Sequence, residues 1–151
     1  MELNSPEDTK KLSKKLSKII TNGDTIFLYG EIGVGKTTFT RYLINEFETK
    51  NGIKKSDILS PTFNIVYDYK IGKTKISHFD LYRLTSYRDI KELGMFEISE
   101  NHIKIVEWPE LIESKPKDRI DINFEYTKSM NSRKVNIKGF GKWKEYRFNE
   151  I

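Results

Sequence analysis

The segment Gly30-Glu31-Ile32-Gly33-Val34-Gly35-Lys36-Thr37 decides the fold of this chain, because it is a complete G-x-x-x-x-G-K-T phosphate-binding loop. An apolar, β-favouring stretch at residues 25–29 precedes it, and residues 38–49 follow with apolar side chains at helical spacing. In such a loop, glycines let successive backbone N–H groups turn towards phosphate oxygens at a helix N-terminus, where the helix dipole favours anions. The strand, loop and helix together predict a nucleoside triphosphate site.

Two side chains of this loop have predicted tasks. Lys36 is placed to reach the β- and γ-phosphates, and the Thr37 hydroxyl is placed to ligate Mg²⁺. We expect the stem of Lys36 to need no apolar partner, so Lys36→Ala should weaken ATP binding and leave the fold intact.

The composition restricts the chain to a globular protein without disulfides. Its 151 residues suit one domain, which we place at residues 1–151, and there is no cysteine to form disulfides or ligate metals. No apolar run approaches the roughly 20 residues of a membrane span, and the first residues lack the basic-then-apolar order of a secretory signal. We therefore expect a cytoplasmic protein without a membrane partner. The net charge is +5, but the sequence contains no block of five or six like charges, so the charge alone does not assign a partner.

Hydrophobic periodicity predicts an α/β domain with two hairpins. A helix begins at Ser5-Pro6, and its apolar spacing runs to Ile20. After the loop and its helix, the sequence favours a hairpin (64–70 with 73–81), a short helix (87–93), a strand (103–107) and a second hairpin (119–126 with 133–138). We predict a P-loop NTPase-like α/β fold, an open sheet of mixed parallel and antiparallel strands with flanking helices and added β-hairpins.

Two acids stand where a Mg²⁺–triphosphate site needs a carboxylate. Asp80 and Glu107 each close a predicted strand, and open α/β sheets bind ligands at the carboxyl ends of their strands. We favour function for both over a surface or capping role. Thr62 could turn its hydroxyl towards the γ-phosphate or metal, as switch segments do, or initiate a strand. For His78, a lone histidine in a strand, core packing or a hydrogen bond is at least as good an explanation as catalysis.

Several segments, in this order, resemble the bacterial TsaE family, the ATPase of tRNA threonylcarbamoyladenosine biosynthesis. The matching segments are GEIGVGKTTFTR (30–41), SPTFNIVYDY (60–69), HFDLYRL (78–84), ELG (92–94) and IVEWPE (105–110). Many families share the phosphate loop, whereas SPTF, DLYRL and EWPE at these intervals are much more specific and span most of the chain. The segment after Gly94 matches loosely, which leaves the role of Glu97 open, and the tail from Asp118 matches in pattern more than in residues.

The resemblance implies an ATPase that uses ATP and Mg²⁺ and works with two partners. TsaE proteins hydrolyse ATP while docked on the TsaD transferase and its TsaB companion, which move threonylcarbamoyl onto the adenosine beside the tRNA anticodon. TsaE does not carry out that transfer, and any tRNA contact is expected to be indirect. By this resemblance Lys36, Asp80 and Glu107 are catalytic, and Thr37, Asp80 and Glu107 bind the metal. The expected nucleotide contacts are Glu31, Gly33, Val34, Gly35, Lys36, Thr37, Thr38 and Thr62.

Three other classes of protein compete with this interpretation. A small-molecule kinase usually needs a mobile lid with arginines, and the basic residues nearest the motifs, Arg41, Arg83 and Arg88, form no arginine-rich segment. A GTPase-like switch would need an N-K-x-D-type segment that reads guanine, and no such segment follows a strand here. A non-enzymatic tRNA-binding module is supported only by the net charge of +5. Because no arginine is obviously aimed at the γ-phosphate, although Arg83 is conceivable, we expect slow turnover that a partner accelerates. Trp108 could fill the core or contact that partner.

Overall fold

A computed structural model describes residues 1–150, apart from the side chains of Ile98 and Asn149. Along the chain, helices or short helical turns separate the strands except within two hairpins. The strands are β1 (Glu2–Leu3), β2 (Thr25–Tyr29), β3 (Val66–Ile71), β4 (Thr74–Asp80), β5 (Ile103–Glu107), β6 (Arg119–Tyr126) and β7 (Arg133–Phe140). The helices are α1 (Pro6–Leu16), α2 (Lys36–Lys50), α3 (Tyr87–Glu92) and α4 (Met95–Ile98). Short 3₁₀ turns lie at Pro109–Leu111, Gly141–Trp143 and Phe148–Glu150.

The strands form one mixed sheet in the order β1-β7-β6-β2-β5-β4-β3. The four central strands, β6-β2-β5-β4, pair in parallel. Antiparallel strands extend both edges, with β3 beside β4 and with β7 and β1 beyond β6. The predicted mixed sheet and both predicted hairpins are confirmed. Because the central strands are parallel, their carboxyl ends meet at one edge, where the segments after β2, β4 and β5 come together.

Alternation along the central strands divides the core between the two faces of the sheet. Ile26 and Leu28 of β2 pack with residues of α1 and α2, whereas Phe27 packs on the other face with residues of α3 and α4. Helices therefore cover both faces of the parallel strands. No helix within residues 1–150 is long and apolar enough to cross a membrane.

Helix α1 begins where predicted and ends earlier. Ser5 caps it by accepting a hydrogen bond from the Asp8 N–H, and Pro6 occupies the first turn. After Leu16, the N–H groups of Lys18 and Ile19 form i→i+3 hydrogen bonds, and residues 17–19 form turns instead of continuing the predicted helix. Ile20 is still buried in the core, which explains why its spacing looked helical.

Candidate nucleotide and metal site

The phosphate loop joins β2 to α2 with a backbone that glycine permits. Gly30 adopts a φ of 130°, and a Cβ there would lie 2.4 Å from the carbonyl oxygen of Phe124 in β6. Gly35 precedes α2 with a φ of 121° and, in the described part of the chain, no side chain caps the helix. The first N–H groups of α2 thus have the arrangement that binds anions at helix N-termini.

Lys36 lies almost fully buried at the start of α2, with 3% of its surface exposed. Its Nζ donates to the carbonyl oxygen of Gly30 and, at 3.0 Å, to that of Glu31. The same ammonium lies 3.7 Å from the centroid of the Trp108 ring. The sequence did not predict this contact of the Lys36 ammonium with an indole ring, whereas the expectation that the stem of Lys36 needs no apolar partner stays a prediction.

The charge of Lys36 depends on opposing influences. Burial lowers the pKa of Lys36, and the nearby carboxylates of Glu107, Glu110 and Asp80 raise it in part. These acids surround the ammonium with negative charge at the same edge of the sheet.

Strand register brings the two predicted acids together. Asp80 and Glu107 are partners across β4 and β5, at the carboxyl ends of both strands. Both lie on the sheet face of Ile76 and Ile105, which belong to the core under α2. The Thr37 Oγ1 donates a hydrogen bond of 2.9 Å to Glu107 Oε2. This bond joins the phosphate loop directly to one of the acids.

Asp80 holds a different segment. The Thr62 Oγ1 donates to Asp80 Oδ2 at 2.7 Å, and the Ser60 Oγ donates to the same oxygen at 3.4 Å. The other oxygen, Oδ1, accepts from the backbone N–H of Tyr82 at 3.0 Å. Thr62 therefore lies at the site as predicted, tied to Asp80, while Glu107 is tied to the loop.

His78 and Trp108, whose roles the sequence left open, both contact the site. His78 is fully buried and its Nε2 lies 2.8 Å from Glu107 Oε1, so it forms the core hydrogen bond that was one of its two interpretations. Trp108 lies under Lys36 and beside the Tyr82 ring, with centroids 5.0 Å apart. It adopts a φ of 59°, an uncommon value for a bulky residue.

These groups share one cavity of about 250 Å³, which is lined by Ile32, Gly33, Gly35, Lys36, Thr37, Thr38, Ser60, Thr62, Asp80, Tyr82, Glu107 and Trp108. Two predicted contacts lie outside this lining. Glu31 contributes its carbonyl oxygen to Lys36, and Val34 is buried in the core. Tyr82 lines the cavity without having been predicted to do so, although it belongs to the DLYRL segment.

Two residues of the C-terminal hairpin support the loop, and nothing in the sequence marked them. The Tyr126 hydroxyl donates to the Ile32 carbonyl oxygen at 3.1 Å, and Arg133 Nε donates to the Val34 carbonyl oxygen at 3.0 Å. The Arg133 guanidinium lies 4.4 Å from the centroid of the Tyr126 ring. The pairing of β6 with β2 brings this hairpin to the loop.

Two residues with open roles lie away from the cavity. Arg83 is exposed, donates to the Phe63 carbonyl oxygen at 3.4 Å and lies 5.3 Å from the Phe63 ring centroid. Glu97 lines a separate cavity of about 730 Å³ with Thr25 and Lys104, at the amino ends of β2 and β5. Neither residue lines the cavity beside the phosphate loop.

The donor set fits Mg²⁺ bound together with phosphates. Among residues 1–150, no three His, Cys, Asp or Glu side chains gather closely enough to hold a metal ion by themselves. Thr37, Asp80 and Glu107 offer one hydroxyl and two carboxylates in the same cavity. Mg²⁺ prefers oxygen ligands and is usually bound by one or two carboxylates plus substrate phosphates.

A sequence-family model described as "Threonylcarbamoyl adenosine biosynthesis protein TsaE" matches residues 3–135. The chain belongs to the TsaE family. The TsaE protein of Rickettsia felis is 42% identical over 110 residues, which are 73% of this chain and 62% of that protein. The match to TsaE of Rickettsia conorii, 43% identical over 73% of this chain, covers 61% of that protein, so both matches span less than two thirds of these relatives. TsaE of Aquifex aeolicus is 38% identical over 135 residues, 89% of this chain and 92% of that protein.

A solved structure supports the same fold. The crystal structure of Bacillus subtilis YdiB superposes with a TM-score of 0.74 at 26% sequence identity. The match covers 99% of this TsaE-family chain and 90% of YdiB. The predicted P-loop NTPase-like α/β architecture is therefore confirmed, including the hairpins added at both edges of the sheet.

Proposed function

We propose that this protein binds ATP with Mg²⁺ and hydrolyses it in support of threonylcarbamoyladenosine formation in tRNA. The observation that carries the proposal is the convergence of Lys36, Thr37, Asp80 and Glu107 in one cavity at the uncapped start of α2. Its TsaE relatives are named for tRNA threonylcarbamoyladenosine biosynthesis, which supports the same process for this chain.

The hydrogen bonds suggest a division of labour between the acids. In P-loop NTPases the metal is held by the loop hydroxyl and a strand-end carboxylate, and Thr37 with Glu107 is the pair joined here at 2.9 Å. Bound Mg²⁺ would neutralise charge on the phosphate oxygens. Lys36 would exchange its bonds to Gly30 and Glu31 for phosphate oxygens. Asp80, which holds Thr62 at 2.7 Å, is the candidate for placing the switch-like segment and the attacking water.

Exposed apolar residues near the cavity favour the docking of a partner protein over the nucleotide. Ile32 and Tyr82, which line the cavity, are 69% and 53% exposed, and Phe63, which follows the lining residue Thr62, is 83% exposed. No arginine within the described chain lines the cavity, and a missing arginine can cost about 10³–10⁵ in the rate of phosphoryl transfer. We propose that a TsaB–TsaD-type pair is this partner and that turnover without it is slow.

The test is ATP hydrolysis by the purified protein, alone and with TsaB-type and TsaD-type proteins of the same source. We expect slow turnover that rises when both partners are present and that falls in Lys36→Met. Formation of threonylcarbamoyladenosine on added tRNA should then require the ATPase. Turnover indifferent to the partners would overturn the proposed coupling and would lead to a screen of phosphate acceptors for a kinase.

A further inference from the structure

We propose that His78 is a positioning residue for the Glu107 carboxylate. In this proposal the His78 Nε2–H fixes one carboxylate oxygen and thereby presents the other to Thr37 and Mg²⁺. The inference deepens the proposed function and rests on it, because it concerns the metal of that same site.

The Glu107 carboxylate is held at both of its oxygens. Oε2 accepts the Thr37 hydroxyl at 2.9 Å, and Oε1 lies 2.8 Å from His78 Nε2. A rotation of the carboxylate that frees one oxygen would break a bond at the other. Without the His78 bond, only Thr37 would orient Glu107 among the contacts recorded for its carboxylate in the described residues.

The surroundings of the His78 ring determine which nitrogen carries its proton. Nδ1 is buried and has no hydrogen-bond partner within the described chain. A proton on Nδ1 would create a buried donor without an acceptor, which proteins avoid. The proton therefore belongs on Nε2, where it is donated to Glu107 Oε1.

The location of His78 argues against a filling role. His78 pairs with Ile105 of β5 and shares the sheet face of Ile76, so two of its neighbours on that face are apolar core residues. A ring with two nitrogens is costly at such a position unless it makes a specific hydrogen bond. Within the described residues, the one hydrogen-bond acceptor that the His78 ring contacts is the acid that is also bonded to the phosphate loop. His78 thus extends the chain of contacts from Thr37 through Glu107 into the core.

Residues that orient a metal-binding carboxylate usually affect metal affinity strongly. Loss of such a partner typically weakens metal binding or activity about 10–100-fold. We expect His78→Leu to raise the Mg²⁺ concentration needed for half-maximal ATP affinity by at least about tenfold. Affinity for ATP in the presence of EDTA should stay within about twofold, since Lys36 and the loop backbone are untouched.

The experiment is calorimetric titration of ATP into the full chain at a series of Mg²⁺ concentrations. His78→Gln keeps an N–H donor near the position of Nε2 and should restore the Mg²⁺ midpoint to within about threefold of wild type. Ser77→Ala is the matched control, since Ser77 is equally buried in β4 but bonds Asp68 and His102 instead. It should lower the thermal midpoint and leave the Mg²⁺ midpoint unchanged.

Two outcomes separate this inference from the proposed function. A wild-type protein with Mg²⁺-dependent ATP affinity and a folded His78→Leu variant with the same Mg²⁺ midpoint would overturn the role of His78 alone. A wild-type protein that does not bind ATP would overturn the proposed function and this inference with it. If His78→Leu does not fold, ¹⁵N NMR of the wild-type imidazole decides instead. We expect a proton on Nε2, and an Nε2 without a proton would contradict the proposal.

Discussion

Lys36 separates the effect of charge from the effect of packing at a single residue. Its ammonium is surrounded by loop carbonyls and lies 3.7 Å from the Trp108 centroid, so truncation removes both a charge and a contact. We expect Lys36→Met to weaken ATP binding at least about tenfold, because the β- and γ-phosphates lose their cation while an unbranched side chain of similar length still occupies the buried position. Lys36→Ala should match it in affinity and lose about 1 kcal/mol more stability, because it also removes the buried stem. Calorimetry and urea unfolding measure the two effects.

Equal stability of Lys36→Ala and Lys36→Met would show that the buried stem of this side chain contributes no packing. Unchanged ATP affinity in both variants would contradict the assignment of Lys36 as a phosphate ligand.

At the same scale, the sequence predicted which residues meet and left their pairing open. Lys36, Thr37, Asp80 and Glu107 were found because a loop motif and strand-end acids are local signals. The bonds of Thr37 to Glu107 and of Thr62 to Asp80 depend on the β4–β5 register and on which face α2 covers. Those relations are set by packing across the sheet, so no spacing in the sequence records them.

Among the elements, the C-terminal hairpin acts as a support for the phosphate loop. Tyr126→Phe removes the hydroxyl that donates to the Ile32 carbonyl oxygen and keeps the ring under Arg133. Because one hydrogen bond contributes about 1 kcal/mol, we expect a loss of roughly fivefold in ATP affinity. Amide hydrogen exchange in residues 31–35 should become faster.

Tyr87→Phe is the matched control for the loss of a hydroxyl. The Tyr87 hydroxyl accepts from the backbone N–H of Ser114, away from the loop, so exchange in residues 31–35 should not change. Equal effects of the two substitutions would mean that Tyr126 does not support the loop specifically.

Elements with strong local signals were predicted well, and short elements were not. The strand predictions at residues 25–29 and 103–107 match β2 and β5, because apolar runs bounded by turn residues mark buried strands. β1 has two residues, and it exists only through its pairing with β7, which lies 130 residues away in sequence or more. α4 is a single turn after Gly94, too short to show helical periodicity.

The start of β5 contains a buried cation that should make stability depend on alkaline pH. Lys104 Nζ donates to the carbonyl oxygens of Ser99, Glu100 and His102 at 2.9, 3.4 and 3.3 Å. Burial lowers the pKa of Lys104, and Glu100 and Asp24 oppose the shift. Just below pH 10.5, the unfolded lysine keeps a proton that the folded one partly releases, so the free energy of unfolding should rise with pH.

Lys104→Met removes this contribution, so the wild-type curve should rise relative to the variant as pH approaches 10.5. Urea unfolding over a pH series provides both curves. Parallel curves would contradict a lowered pKa for Lys104. At neutral pH the variant should also lose about 1 kcal/mol, because the carbonyl groups lose their donor.

At the scale of the whole molecule, the carboxyl edge of the sheet carries two kinds of residue. The polar groups that we propose bind ATP and Mg²⁺ line the cavity, and large apolar side chains are exposed outside it. Phe63 is 83% exposed and follows Thr62, which is held by Asp80, so a protein that covers Phe63 would also contact the switch-like segment. Such an arrangement couples docking to the acid that we propose places the attacking water. It also explains why turnover should depend on a partner without any change in the phosphate loop.

Phe63→Ala tests that coupling, because Phe63 does not line the cavity. We expect the variant without partners to keep the ATP affinity and the slow ATP turnover of the wild type. Stimulation of turnover by TsaB-type and TsaD-type partners at limiting partner concentration should fall at least about tenfold, as for the loss of a buried aromatic anchor. Ile53→Ala, at a 43% exposed apolar residue just after α2, is the control and should keep full stimulation. Steady-state hydrolysis and calorimetric binding of the partners measure the two effects. If Phe63→Ala were stimulated as strongly as wild type, the partner would bind elsewhere, and the exposed apolar residues near the cavity would have no part in coupling.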